Sequence, residues 1–188
     1  MSRISMITED QASPEVKEIF GKIQKNGARI MNLYRVLAHN HRVLLNSMRL
    51  ANALLNGTEL PPRLRELAIL RVARLTGSEY EWRQHLAIAL ELGITQDQID
   101  AITQWKTSRG FSDLDRAVLQ YTDEVTQNVK VTDATFTTLR QHLSERSIVE
   151  LTLSIGHWGM LARFLVPLQI DIDIQPIGSV KDLMGRKG

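Results

Sequence analysis

Apolar residues recur along this chain at intervals of three and four through most of its length, a pattern that predicts a succession of helices and an all-α fold. Ser13-Pro14-Glu15 opens the first helix with a hydroxyl N-cap, a proline at the first position and a carboxylate in the first turn, and the pattern runs to Asn26-Gly27. A short segment from Asn32 to His39 follows, then a longer one from His41 to Leu55, with Gly57 as its terminator and Pro61-Pro62 as a break. From Arg63 to Thr76 the apolar residues cover most of the helix circumference, which marks a buried helix. Gly77 ends it, and Ser78 with Glu81 reads as a capping box for a helix to Leu92, closed by Gly93. Thr95 caps the next, through Trp105, and a loop over 107–110 leads to Ser112 and a helix to about Asn128. Thr132 caps a shorter helix to Leu143, and Ser144 starts a long apolar one through Val166, stopped by Pro167. The alternation of Ile170-Asp171-Ile172-Asp173-Ile174 fits a short strand or an extended tail, and 178–188 reads as mobile or as an oligomer contact.

The chain has 188 residues, 43% of them hydrophobic, enough for one domain with a real core and too few for two. It has no cysteine, which removes disulfides, thiolate ligands and thiol nucleophiles together. The N-terminus lacks an apolar leader core, and no later apolar run approaches the ~20 residues of a membrane span, so a cytoplasmic protein without membrane contacts is expected. The formal charge is only +2, with both signs interspersed, so nucleic acid is not an expected partner. RLRELAIL at 63–70 resembles SIVELTLS at 147–154; a duplicated helical unit and two helices alike by composition explain this equally well.

Candidate chemistry concentrates between Glu66 and His85. Glu66 has Ile69, Leu70 and Ala73 as neighbours on its helix face, so it is expected to be buried. A buried carboxylate is either tuned for proton transfer or paired, here with an arginine such as Arg63 or Arg163. His85 shares a stripe with Glu81, Trp82, Ile88 and Ala89; an imidazole one turn from a carboxylate serves as a general acid or base, or as a hydrogen-bonded core residue. The capping box accounts for Ser78 and Glu81 without a catalytic role, and Trp82 suits packing or an aromatic wall for a planar substrate. Glu66, Glu81 and His85 lack a second histidine and make an incomplete metal-ligand set, so no metal is assigned. Further on, Glu150, Ser154, His157, Trp158 and Leu161 form another stripe, which suits helix packing or, through His157, a second wall of the pocket.

At these residues the chain resembles the carboxymuconolactone decarboxylase family, within the alkylhydroperoxidase D-like superfamily. The resemblance spans about Asn32 to Leu168, with 169–188 as a tail, and is densest in LPPRLRELAILRVARLTGSEYEWRQHLAIALELGITQDQIDAI. The family pattern is a glutamate in one helix, two functional positions at the next helix start, then a histidine. In the peroxidase branch the middle positions are a pair of cysteines; here they fall on Ser78 and Glu81, between Glu66 and His85, so the chain looks like the cysteine-free, decarboxylase-like branch. The segment GHWGMLARF resembles the last-helix motif, with His157-Trp158 where tyrosines are common. The resemblance implies a single helical domain assembling into trimers or hexamers, with a small-molecule pocket near a subunit interface. It further implies cofactor-independent loss of CO₂ from an unsaturated carboxy-lactone of aromatic catabolism. In that chemistry His85 is expected to be the acid/base, oriented by Glu81 and tuned by Glu66, with Arg163 holding the carboxylate or lactone oxygen. Ser78, Trp82 and His157 are the remaining expected substrate contacts. Two alternatives stand beside it: another proton-transfer enzyme, and a non-catalytic small-molecule-binding oligomer.

Overall fold

The computed structural model describes residues 1–175; the expectation for 178–188 lies outside them. The elements are α1 (Pro14–Lys25), α2 (Asn32–Leu37), α3 (His41–Asn56), α4 (Pro62–Thr76), α5 (Glu79–Glu91) and α6 (Gln96–Ala101). A 3₁₀ turn (Ile102–Gln104) follows α6, and α7 (Asp113–Asn128), α8 (Asp133–Arg140) and α9 (Glu145–Leu168) complete the chain. No strand occurs among the described residues, and the all-α expectation holds.

The long buried helix of the sequence, α4, is the axis of the molecule and packs against α5, α7 and α9. Leu67, Ala68, Ile69 and Leu70 have no exposed surface, each leucine contributing ~1.5–3 kcal/mol by burial. One side of α4 (Ala68, Ile69, Val72) joins the core formed with α1–α3 and α9. Another side (Leu67, Leu70, Ala73) joins a second cluster with Trp82, Ile94, Ile102 and Trp105. Three charges on α4, Arg65, Glu66 and Arg71, are buried too, and each finds a partner. Arg71 grips Asp123 of α7 with Nε and Nη2 at 2.6 and 3.1 Å, and Trp105 donates to the same carboxylate at 3.2 Å. Gly77 closes the helix in the left-handed region at φ 66°, a conformation that favours glycine and turns the chain directly into α5.

Three details depart from the sequence reading. Helix α9 runs through Pro167 to Leu168 and ends at Gln169 in a left-handed conformation, because a proline in the last turn removes one amide without stopping the residue after it. Helix α8 ends at Arg140 instead of Leu143. By length and composition α9 would also suffice to cross a membrane; half of that stretch is buried here, where the helix serves as a core element against α4.

The alternating segment after α9 is extended and unpaired as a strand. Ile170 is buried, Asp171 meets the N-terminal ammonium at 3.1 Å, and Asp173 reaches back to α2 and α5.

Candidate active site

Glu66 is fully buried on α4, and its Oε2 lies 2.6 Å from Nδ1 of His85 on α5. Its Oε1 lies 3.4 Å from Nε of Arg65, also buried, whose Nη1 donates to the carbonyls of Leu54 and Leu55. Arg65 therefore compensates the buried carboxylate, the role that Arg63 and Arg163 were expected to fill. Arg63 pairs instead with Asp115 at 2.6 Å, and Arg163 is exposed, its guanidinium turned back on the Gly159 carbonyl at 2.8 Å. Helical geometry holds Arg163 on the outer side of α9, and the structure does not bring it to the site.

The other imidazole nitrogen has two partners. Trp158 of α9 donates its indole N–H to His85 Nε2 at 2.8 Å, and Glu81 Oε2, one turn before His85 on α5, lies 3.5 Å from the same atom. Burial pushes the imidazole pKa down, but the charge and hydrogen bond of Glu66, then those of Glu81, outweigh it and raise it to about 9. The indole bond works the other way, since it needs the Nε2 lone pair. Neutral His85 keeps Trp158 as its partner; the protonated ring turns both N–H groups to carboxylates. Glu66 thus makes the orienting contact, and Glu81 faces the nitrogen that exchanges protons, the reverse of the roles expected.

The capping box is not formed. Ser78 occupies the N-cap of α5 at ψ 87°, outside the extended backbone of the caps that form, and its buried Oγ has no hydrogen-bond partner, while the Glu81 carboxylate points inward to His85 and not back to the N-cap amide. Glu81 Oε1 and both nitrogens of His157 are likewise buried without partners. Burial and the nearby charge of His85 push the His157 pKa down to about 4, so this ring is neutral at pH 7. Trp158 stands edge-on to both imidazoles, its ring centre 5.5 Å from His85 and 5.0 Å from His157. Each unpaired buried polar group costs roughly 1–3 kcal/mol, a cost that a polar ligand would relieve.

Glu81, His85, His157 and Trp158 line a cavity of ≈ 50 Å³, together with Tyr34 and Tyr80. It opens beside a larger cleft of ≈ 680 Å³ that shares Met31, Tyr34, Ala51, Leu55 and Gln84 with it. Burial, then the charge of Glu81, push the Tyr34 phenol up to about 12, so it stays a hydrogen-bond donor. Trp82 does not reach the cavity: it packs in the second core, with the Arg74 guanidinium 3.4 Å over its ring. Among the described residues no three His, Asp or Glu side chains are arranged to hold a metal ion. Sequence reasoning missed Arg65, Tyr34, Tyr80 and Gln84 as site residues and left Trp158 as a packing residue. Tyr80 and Gln84 had a signal, since they form an i,i+4 pair beside Glu81 and His85 on α5.

Residues 44–124 match the family model described as the carboxymuconolactone decarboxylase family. A curated relative, the uncharacterized protein YnjA of Escherichia coli (strain K12), is 30% identical over 106 residues, 56% of this chain and 58% of that protein. The chain thus aligns with less than two-thirds of that relative's length. An uncharacterized peroxidase-related protein with an alkylhydroperoxidase AhpD core, from Ralstonia eutropha JMP134, superposes with a TM-score of 0.81 at 16% identity, covering 96% of each chain. A variant of the debrominase Bmp8 in complex with 2,3,4-tribromopyrrole superposes with a TM-score of 0.74 at 18% identity over 93% of this chain and 95% of that one. Residues 44–124 thus match the carboxymuconolactone decarboxylase family, the chain shares its fold with the alkylhydroperoxidase AhpD-core structure, and it has no cysteine.

Proposed function

We propose that the chain is a proton-transfer enzyme of the carboxymuconolactone decarboxylase type, acting on a small unsaturated carboxylic acid or carboxy-lactone without a thiol. The observation that carries this reading is the buried Glu66–His85 pair at 2.6 Å, which fixes the imidazole with Nε2 toward Glu81 and the cavity. In the decarboxylation, the bond from the ring carbon to the carboxylate breaks, CO₂ leaves, and the electron pair passes into the conjugated lactone carbonyl. The imidazolium of His85 then delivers its Nε2 proton to the carbon, and solvent restores it. A His85 pKa raised to about 9 keeps this acid loaded at neutral pH. An isomerase or dehydratase would use the same two-state nitrogen; the substrate decides between them.

The exposed face of α9 supports a homo-oligomer. Val149, Leu153 and Met160 follow one stripe on that face, a surface suited to a second copy of the chain.

The deciding assay follows CO₂ release and ultraviolet change with γ-carboxymuconolactone and a panel of related unsaturated lactone acids, for wild type and His85→Ala. Turnover by wild type and its loss in a folded His85→Ala is the expected result. Equal turnover by both removes His85 from the mechanism, and no turnover on the panel removes the decarboxylase reading.

A further inference from the structure

Beside the His85 cavity, three hydrogen-bond donors converge on one carboxylate of the chain itself. The Asn32 amide donates to Asp173 Oδ1 at 2.9 Å, Gln84 Nε2 donates to Oδ2 at 2.7 Å, and the Tyr80 hydroxyl donates to Oδ2. Tyr80 is the donor here because an ionised carboxylate only accepts, and its oxygen in turn accepts from the Leu33 amide at 3.2 Å. Tyr80 and Gln84 are themselves buried, at 4% and 3% exposure. The cleft in front is lined by Arg29 and Arg35, and among the described residues Asp173 is the acidic side chain in its lining.

We propose that Asn32, Tyr80 and Gln84 form a carboxylate-binding cradle that takes the carboxylate of a small organic acid, with Asp173 as its resident occupant when no acid is bound. The placement fits the site already described. Tyr80 and Gln84 line the His85 cavity, and Gln84 also lines the outer cleft, so an acid seated in the cradle has its body at the junction of the two. Asp173 lies on an extended segment outside any sheet ladder, anchored by the buried Ile170, by Ile172 against the core and by side-chain and terminal contacts, so an incoming carboxylate competes with the Asp173 side chain alone for the three donors. The cradle supplies the carboxylate contact that Arg163, on the outer face, does not. This inference rests on the acid-transforming reading for its ligand class.

The test uses the full chain with acetate as probe and acetamide as its uncharged counterpart, read by ligand-observed NMR and thermal melting. Acetate is expected to bind Asp173→Ala at least about tenfold more tightly than wild type and to raise the melting temperature of that variant, whereas acetamide does neither. Adding Gln84→Leu is expected to abolish the gain. Should Asp173→Ala fail to fold, Asp173→Asn serves: it carries no charge, and when its carbonyl oxygen accepts from Gln84 and Tyr80 its NH₂ is left against the Asn32 N–H, so the same preference for acetate is expected. Equal acetate affinity in wild type and the Asp173 variants, or equal response to acetamide, overturns the cradle. Because the readout needs no turnover, a protein that passes this test and decarboxylates nothing keeps the cradle and loses the proposed reaction. A protein that turns over with the same KM in wild type and Asp173→Ala keeps the reaction and loses the cradle.

Discussion

The indole N–H of Trp158 is donated to Nε2 of His85 across 2.8 Å, while Glu81 stands 3.5 Å from the same nitrogen. One atom is thereby offered a donor and an acceptor. The donor stabilises the neutral ring and the acceptor the charged one, so the pair sets the protonation balance of the proposed acid.

Removing the donor while keeping an aromatic ring separates the two effects. Trp158→Phe is expected to raise the His85 pKa by roughly 0.5–1 unit, since a neutral-state hydrogen bond worth about 1 kcal/mol is lost and both carboxylates remain. Titration of the His85 ring carbons by NMR measures this directly. A downward shift would show that the indole stabilises the charged form instead.

Glu66→Gln tests the orienting bond. An amide at that position no longer matches the Nδ1 proton with a charge, and Arg65 loses its buried counter-charge. Turnover is expected to fall by about 10⁴, the scale seen when a histidine's orienting carboxylate is neutralised, and stability by roughly 3–5 kcal/mol. Kinetics and denaturant unfolding on the same samples read the two effects separately. A variant with full activity would leave Glu66 as a structural residue only.

These residues also show how far the sequence could be read. Glu66 and His85 were legible because each sits on an apolar face where a polar side chain demands a partner, and their pairing followed from two consecutive helices joined at Gly77. Helix order was equally legible, because Ser13, Thr95, Ser112, Thr132 and Ser144 each cap a helix with a local side-chain bond. Ser78 has the same local pattern and fails to cap, because its backbone at ψ 87° leaves the extended cap conformation and Glu81 turns along its own helix to His85. Trp158 and Asp173 could not be placed from local spacing. Their partners lie on other elements, up to 93 positions away for Asp173 and Tyr80.

The two site histidines give opposite pH limbs. His85 has a folded pKa raised to about 9 above its ordinary value of 6.5, so the stability it contributes is full below about 6.5 and is lost as pH rises through about 9. His157 has a folded pKa lowered to about 4 from 6.5, so its contribution is full above about 6.5 and is lost as pH falls toward 4. Urea midpoints from pH 4 to 10 are expected to fall at both ends. His85→Gln should flatten the alkaline limb and His157→Leu the acid limb; an unchanged limb in either variant contradicts that assignment.

Away from the site, Asp123→Ala is expected to cost about 3–5 kcal/mol, since it strands the buried Arg71 guanidinium and the Trp105 N–H. At a few degrees per kcal/mol for a chain of this size, the melting temperature should drop by on the order of 10 °C. A loss below about 1 kcal/mol would mean that water replaces the carboxylate at little cost.

The outer face of α9 carries the proposed self-association. Val149, Leu153 and Met160 are 57%, 52% and 50% exposed, and the helical repeat aligns them on the side opposite the buried Ile148, Leu151, Ile155 and Trp158. A stripe of this kind is stable in water when another copy covers it, and charge placed within it is repelled from an apolar contact. Light scattering is therefore expected to show an oligomer for wild type and a shift toward monomer for Leu153→Glu and Met160→Glu, with helicity retained. Because His157 and Trp158 lie on the same helix between those positions, dissociation should also lower turnover if the assembly holds α9 in register. A monomeric wild type, or an oligomer indifferent to both substitutions, rules out this face as the interface.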